Sequence, residues 1–463
     1  MSDSRLTTPL EVAEEGRSTV VREWIEKISE VDDTRGRERE GLSAQPFGVA
    51  YGPTIFKRER KANGLRELPK PRAVAIGPYH PRENSLTFND DYKWKITRLM
   101  VNELGVDVKK YLAKMEEEEE DARSNYSEGL LEWSSKDLHM MLLFDSSFIL
   151  FVINPFYKRW WPKSQGAIWE YMTLSSDVTK YMKQIKLDLL MPDNQIPFFA
   201  IKKLLECFPE DEIIFKEDPI EHLALCFFGD LWPMRNEEQK MDDEADFDHL
   251  LHLFHWSRVP VEGYEIYSEE LGSNDASEQY IPSATELRKS AIKFEKKHSG
   301  SNLDITFTRG LTKISAVINI PTLHLYDYSE EIFRNLIAFE KNPMNDVRCF
   351  MAYSACMSCL LQRKKDVKLL RESGTIASTS YNNADVVQFF KDLNRELQEQ
   401  VMPGTLFHLY GRVMIHHNSR VSRAYGGFKL QYCPNTWVGL SLVAAFVLFI
   451  LTLLQTIYAI IQK

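Results

Sequence analysis

Three histidines at every third position, His249, His252 and His255 in HLLHLFHW, follow an acidic run of Asp242, Asp243, Glu244, Asp246 and Asp248. Imidazoles and carboxylates at that density are the donor types of a zinc or calcium site. The spacing argues against one. On a helix each three-residue step turns about 60° from the last, so the rings fan round the axis rather than converge. HExxH is absent, and Phe247 follows Asp246 where a calcium loop would need its glycine. Cys356 and Cys359 form a CxxC, but VRCFMAYSACMSCLLQ reads as an apolar helix with no second pair for zinc. They read as reduced packing residues. Ser290-Ala291-Ile292-Lys293 matches SxxK inside a stretch that reads as a capped helix, a match expected by chance in 463 residues. GxSxG, GxGxxG and the P-loop are missing. No catalytic, metal-binding or cofactor-binding residue is assigned, and no cofactor is implied. Ser290, His252 and Asp193 are the residues to substitute should an activity be found.

The elements that would position such residues are mostly helices. Residues 1–48 read as a disordered N-terminus with one amphipathic helix through Val20, Trp24, Ile28 and Val31. Arg72 to Pro81, RAVAIGPYHP, suggests a short strand over VAI stopped by Gly77-Pro78. YKWKITRLMVNEL carries a helical apolar stripe through Trp94, Ile96, Leu99 and Met100. The acidic run from Glu116 to Asp121 reads as a solvated helical face. Leu138 to Ile153 is apolar almost all round but holds Asp145, which fits a buried core helix better than a membrane span. Asp193 or Asn194 is placed to cap a helix beginning near Pro197.

Further on, Ser283-Ala284-Thr285-Glu286 has the capping-box pattern, opening a helix with Leu287, Ala291 and Phe294 on one face. LDITFTRG and KISAVINIPTLHLYD alternate as a hairpin with its turn at Arg309-Gly310. Glu330 to Lys341, Asp346 to Glu372 and Asp385 to Val401 return to helix, with Gly374 ending the second. The expected fold is mainly α with a small antiparallel β-sheet: residues 49–411 form a helical domain and 412–436 a juxtamembrane segment.

The last stretch is the most apolar. Residues 437–461, from Trp437 to Ile461, carry no charge, and about 20 such residues suffice to cross a bilayer. The expectation is a transmembrane helix and a single-pass C-terminal anchor in a plasma membrane or endomembrane, with lipid as its partner. Arg420, Arg423 and Lys429 precede it and Lys463 follows, which places the large domain in the cytosol, with an extracellular domain as the alternative. Asn125-Tyr126-Ser127 is a glycosylation sequon, usable only in the extracellular case.

A net charge of -10 disfavours nucleic acid as a partner. Hydrophobic residues at 44% and aromatics at 12% are ample for a packed core.

The order of motifs AIGPYHP, YKW, FDSSFIL, DLLMPDNQIPFF, IPSATELRKSAIKF, LDITF, FRNLIAFE and DVKLL, closed by the apolar tail, resembles the plant domain of unknown function 247 family. The resemblance runs from about Ile55 to the C-terminus. It implies a plant protein with a helical domain and a C-terminal membrane helix, and it carries over no catalytic residues. Some grass members are implicated in self-incompatibility, as pollen-side determinants. This chain departs from the pattern at Asp193, where the family has glutamate, and at Ser146-Ser147, where it has a cysteine-containing stretch. Its segment before the tail is also less basic. The expected function is non-catalytic protein recognition or signalling. The alternative is a membrane-tethered hydrolase or transferase with an unrecognised site.

Overall fold

In the computed structural model, residues 53–461 are described apart from 58–68, 83–84, 154–163, 210–218, 238, 242–244, 261–280, 299, 312, 343–344, 346, 379, 398–403 and 433–435. The expected N-terminal amphipathic helix and most of the acidic run before His249 lie outside them. The chain divides into two compact units. The first holds Met1–Arg235, Gln239–Arg258 and Tyr328–Asp346, and the second holds Asn236–Glu238, Val259–Asp327 and Val347–Lys463.

The first unit is helical among its described residues. Its elements are α1 (Asp90–Leu104), α2 (Val108–Glu117), α3 (Glu119–Ser124), α4 (Ser135–Ile153), α5 (Gln165–Asp188), α6 (Phe198–Leu205), α7 (Ile220–Phe227) and α8 (Leu250–Trp256). Helix α4 is the hub. Every residue from Leu138 to Ile153 is buried, because α1, α2, α6 and α7 pack around it. That accounts for an apolar run without amphipathic period, and bears out the core-helix reading. Local chemistry sets the ends. Asn89 accepts from the Tyr92 amide and Gly105 closes α1 at φ 70°, while Asp107 and Ser164 cap α2 and α5.

Two local expectations fail here. Val74 to Ile76 forms no strand, because a side chain replaces a neighbouring strand as acceptor. The Asp188 carboxylate takes the amides of Arg72, Ala73 and Val74. Nor does Asp193 or Asn194 cap α6. Pro197 is the N-cap without a side-chain bond, and the Asp248 carbonyl accepts from the Phe198 amide at 2.7 Å.

The second unit mixes sheet and helix: α9 (Ala284–Arg288), β1 (Ile292–Lys297), β2 (Thr306–Arg309), β3 (Ala316–Pro321) and β4 (Leu323–Leu325). After them α10 (Ser329–Glu340) belongs to the first unit. The second resumes with α11 (Cys349–Leu360), α12 (Lys364–Glu372), β5 (Ile376–Ser378), α13 (Asn383–Glu396), α14 (Gly404–His417), α15 (Arg420–Tyr432) and α16 (Thr436–Ile461).

The expected hairpin is present as β2 antiparallel to β3. That sheet, in the order β1-β3-β2, is nevertheless mixed, not antiparallel, since β1 pairs parallel with β3, and β4 and β5 form a second, two-stranded parallel sheet. The cause lies at Ala291. The capping pattern at Ser283 predicts a helix with Leu287, Ala291 and Phe294 on one face, but the helix stops at Arg288, and Ala291 at φ 57° turns the chain into β1. There Ile292 and Phe294 point inward while Lys293 and Glu295 point out, a period of two that the helical reading absorbs.

The C-terminal expectation is also corrected. Helix α16 occupies the place of the anchor. Among the described residues, no helix is long and apolar enough to cross a membrane. The single-pass anchor from Trp437 to Ile461, and the sidedness argued from it, are therefore not supported.

Candidate functional site

Two charged motif residues of the first unit, Lys93 and Asp145, meet in its core together with Arg82 and Asp90. Asp145, in the middle of α4, is fully buried. Its Oδ1 accepts from Lys93 Nζ at 2.6 Å, and its Oδ2 accepts from the Gly77 amide at 2.8 Å and from Arg82 Nη2. Arg82 Nη1 reaches Asp90 at 2.7 Å, and Lys93 Nζ also donates to the Ala75 carbonyl. Two cations thus share one buried carboxylate, with a second carboxylate on the outer guanidinium nitrogen.

Each member is placed by its own element. Lys93 sits on the buried face of α1 beside Trp94. Gly77, at φ 72°, lets the loop approach so closely that a Cβ there would overlap the Gln195 carbonyl oxygen. Burial works against the Arg82 charge, but Asp145 and Asp90 outweigh it and raise the guanidinium's pKa further. For Lys93, burial and then the neighbouring Arg82 lower the pKa, and Asp145 and Asp90 restore only part of it.

A second layer ties the loop 72–81 to the DNQ segment. Asn194 Oδ1 accepts from the Ile76 amide at 2.7 Å, and its Nδ2 donates to Val74 and Asp188 carbonyls. Gln195 donates to the Leu189 and Met191 carbonyls and accepts from the Leu251 amide. His80 Nε2 lies 3.2 Å from Asp193 Oδ1, close enough for an ion pair but poorly aligned for a hydrogen bond. Burial raises the phenols of Tyr111 and Tyr126 around the same carboxylate.

Chemically, this arrangement holds charge rather than moves it. Both Asp145 oxygens are taken by donors, and the surrounding side chains are shut from solvent. A carboxylate so engaged has no lone pair directed at a substrate.

The residues that type and spacing single out fall in separate places. His249 caps α8, its Nδ1 accepting from the His252 amide at 3.1 Å. His252 Nδ1 faces Asp248 at 3.0 Å, and His255 Nε2 faces Glu340 at 2.7 Å. The rings do not fan as expected: His249 stands before the helix as its N-cap in extended conformation, and all three rings lie against Phe339. Among the described residues, no group of three or more His, Cys, Asp or Glu is arranged to hold a metal ion. Cys356 and Cys359 lie free on α11, their thiols pushed up by burial. Asn125 Oδ1 accepts from Thr54 Oγ1 at 2.9 Å, and its Nδ2 donates to the Asp121 carbonyl at 2.9 Å.

Ser290 has the most suggestive partner. Its Oγ lies 2.7 Å from His417 Nδ1 and 3.3 Å from the His417 carbonyl, and His416 Nε2 lies 3.1 Å from the Ser290 carbonyl. The hydroxyl is fully buried, and His417 ends α14, so the contact closes a helix end. Ser290, His252 and Asp193 thus each have their own neighbour and form no common constellation.

Sequence reasoning missed Lys93, Arg82 and His80. The available signal was a charged residue inside an apolar pattern, at Lys93 in YKW and Asp145 in FDSS. Two such charges of opposite sign are best accounted for by each other.

No solved structure matches. A UPF0481 protein of Arabidopsis thaliana, At3g47200, is 26% identical over 418 residues, 85% of this chain and 83% of the relative. A putative UPF0481 protein of the same plant, At3g02645, is 21% identical over 471 residues, covering 83% and 86%. The signature of DUF247, described as plant protein of unknown function, matches residues 56–451. The chain therefore belongs to the DUF247 family of plant proteins of unknown function.

Proposed function

We propose that this protein is a non-catalytic recognition or signalling component that acts by binding a protein partner. One observation carries the reading: the motif charges Asp145 and Lys93, together with Arg82, are consumed by each other inside the core. The buried charges then serve a rigid scaffold, and specificity falls to the surface. Pollen–stigma self-incompatibility, which the resemblance attaches to some grass relatives, is one setting for recognition of this kind.

The test is capture from plant tissue with the purified full-length chain, comparing wild type with Asp145→Asn. A partner retained by wild type and lost with the scaffold supports the reading. Capture of nothing specific from any tissue that expresses the protein would count against it.

The 2.7 Å contact between Ser290 Oγ and His417 Nδ1 favours a second reading, a serine hydrolase. Its weakness is access, because Ser290 is closed to solvent. Labelling of Ser290 by a fluorophosphonate, abolished in Ser290→Ala, would establish it; an unlabelled native chain would remove it.

A further inference from the structure

Helix α15 is amphipathic in the wrong direction. Its buried residues are the small Ser422 and Gly426, while Val421, Tyr425, Phe428 and Tyr432 are 59%, 43%, 46% and 50% exposed. Their spacing is four, three and four, the a/d rhythm of a coiled-coil seam. On a helical projection the four side chains fall within roughly 60° of arc, narrower than the ~100° face of an ordinary packed helix, while Leu430, 38% exposed, stands alone on the opposite side. A seam that narrow fits one partner helix. A membrane surface would be met by a broader apolar face.

Charge selects among helices. Arg420, Arg423 and Lys429 are exposed on α15, and no Asp or Glu occurs from residue 401 to the end of the chain at 463. In heptad terms Val421 and Phe428 take d, Tyr425 and Tyr432 take a, and Lys429 falls at e, beside the seam. A second copy pairing through its own α15 would bring another basic, acid-free helix against it, which opposes that pairing.

We propose that α15 docks an acidic amphipathic helix of a partner protein, with apolar a/d residues against Val421, Tyr425, Phe428 and Tyr432 and carboxylates facing Lys429. The proposal rests on the recognition reading above and names the chemistry of the partner. It extends that reading to a surface that the family motifs in the core do not include.

The probe is a fluorescent 21-residue peptide with Leu at every a and d and Glu at every e and g, titrated against the full-length chain. Its twin carries Lys at every e and g. The acidic peptide binds, and the basic one binds at least about ten-fold more weakly. Tyr425→Asp and Phe428→Asp each weaken the acidic peptide by at least about ten-fold, and Lys429→Glu shifts preference toward the basic twin. Unchanged circular dichroism keeps these exposed-site variants interpretable.

Equal binding of the two peptides, or binding indifferent to Tyr425→Asp and Phe428→Asp, overturns the proposal. So does seam-dependent binding to phosphatidylserine vesicles without peptide binding, which would assign the face to lipid. Self-association abolished by Phe428→Asp would assign it to a second copy. If a tissue partner is still captured by Phe428→Asp, recognition stands and this seam alone is wrong.

Discussion

Nζ of Lys93 lies 2.6 Å from Oδ1 of Asp145, and neither side chain has exposed surface. Arg82 shares the same carboxylate. Arg82 also holds Asp90 at 2.7 Å, whereas Asp90 lies 3.8 Å from Lys93, so Asp145 is the anion both cations share at close range and the three residues are not equivalent on removal. Asp145→Asn leaves two buried positive charges facing each other, and is expected to destabilise the fold by about 3–5 kcal/mol. Lys93→Met leaves an intact Arg82–Asp145 pair and costs less, about 1–3 kcal/mol. Equilibrium urea unfolding measures both. If Lys93→Met proved the more damaging, the shared-anion account would be wrong.

The same cluster shows what is legible in the chain and what is not. Helix α4 is legible because an apolar run of that length with one central charge fits a core helix and little else. Helix α1 is legible from its stripe. The contacts that join them are not, since Lys93 and Asp145 lie 52 positions apart and a period carries no information about partners. Ala291 shows a different failure: the capping pattern at Ser283 is real, but no local pattern announces a left-handed residue between helix and strand. The tail reads as an anchor from hydropathy alone, and hydropathy does not state which helices a fold supplies.

Acid should find this protein through His249. Burial, and then the nearby His252 charge, lowers its pKa to about 3, against an ordinary value near 6.5. In the native state the ring stays neutral, while the unfolded chain takes up a proton below the ordinary value. Between pH 6.5 and 3 the unfolded state thus binds more protons, and stability falls as pH falls, by up to about 1.4 kcal/mol per pH unit. His249→Asn keeps an N-cap acceptor for the His252 amide and removes the titrating ring. Its Tm should drop less than that of wild type between pH 6.5 and 4.5. Parallel Tm curves would reject the assignment.

Gly426 and Gly427 are neighbours in sequence with opposite demands. A Cβ at Gly426 would overlap the Lys289 carbonyl oxygen and lie 2.6 Å from the Ala291 amide nitrogen, whereas a Cβ at Gly427 meets nothing within 4 Å. Gly426→Ala must push α15 off the turn at 289–291, since backbone cannot yield as a side-chain tip does. Gly427→Ala should instead stabilise the helix, by about 0.5–1 kcal/mol. Hydrogen exchange resolves the two: faster exchange across α15 in Gly426→Ala, and slower or equal exchange in Gly427→Ala. Similar behaviour of both variants would mean that α15 is not seated through Gly426.

Asp366 ends two helices with one carboxylate. Its Oδ1 accepts from the Thr285 amide at 2.8 Å and from Thr285 Oγ1 at 2.7 Å, while Oδ2 accepts from the Arg363 amide at 2.9 Å. The capping box expected at Ser283 is thus replaced: Ser283 makes no side-chain cap bond, and the acceptor comes from 81 residues away. Both motif segments, IPSATELRKS and DVKLL, contribute to this one contact. Asp366→Ala orphans donors at the starts of α9 and α12, and at about 1 kcal/mol for each cap plus the half-buried Thr285 hydroxyl the loss should reach about 2–3 kcal/mol. Asp366→Asn offers one oxygen and one amide, so it can satisfy only one of the two helices and should fall between alanine and wild type. Exchange at single amides gives the sharper test. Thr285 and Arg363 should lose protection together in Asp366→Ala, because one side chain holds both. Loss at Arg363 alone would show that α9 is capped by something else, and would dissolve the link between the two motifs.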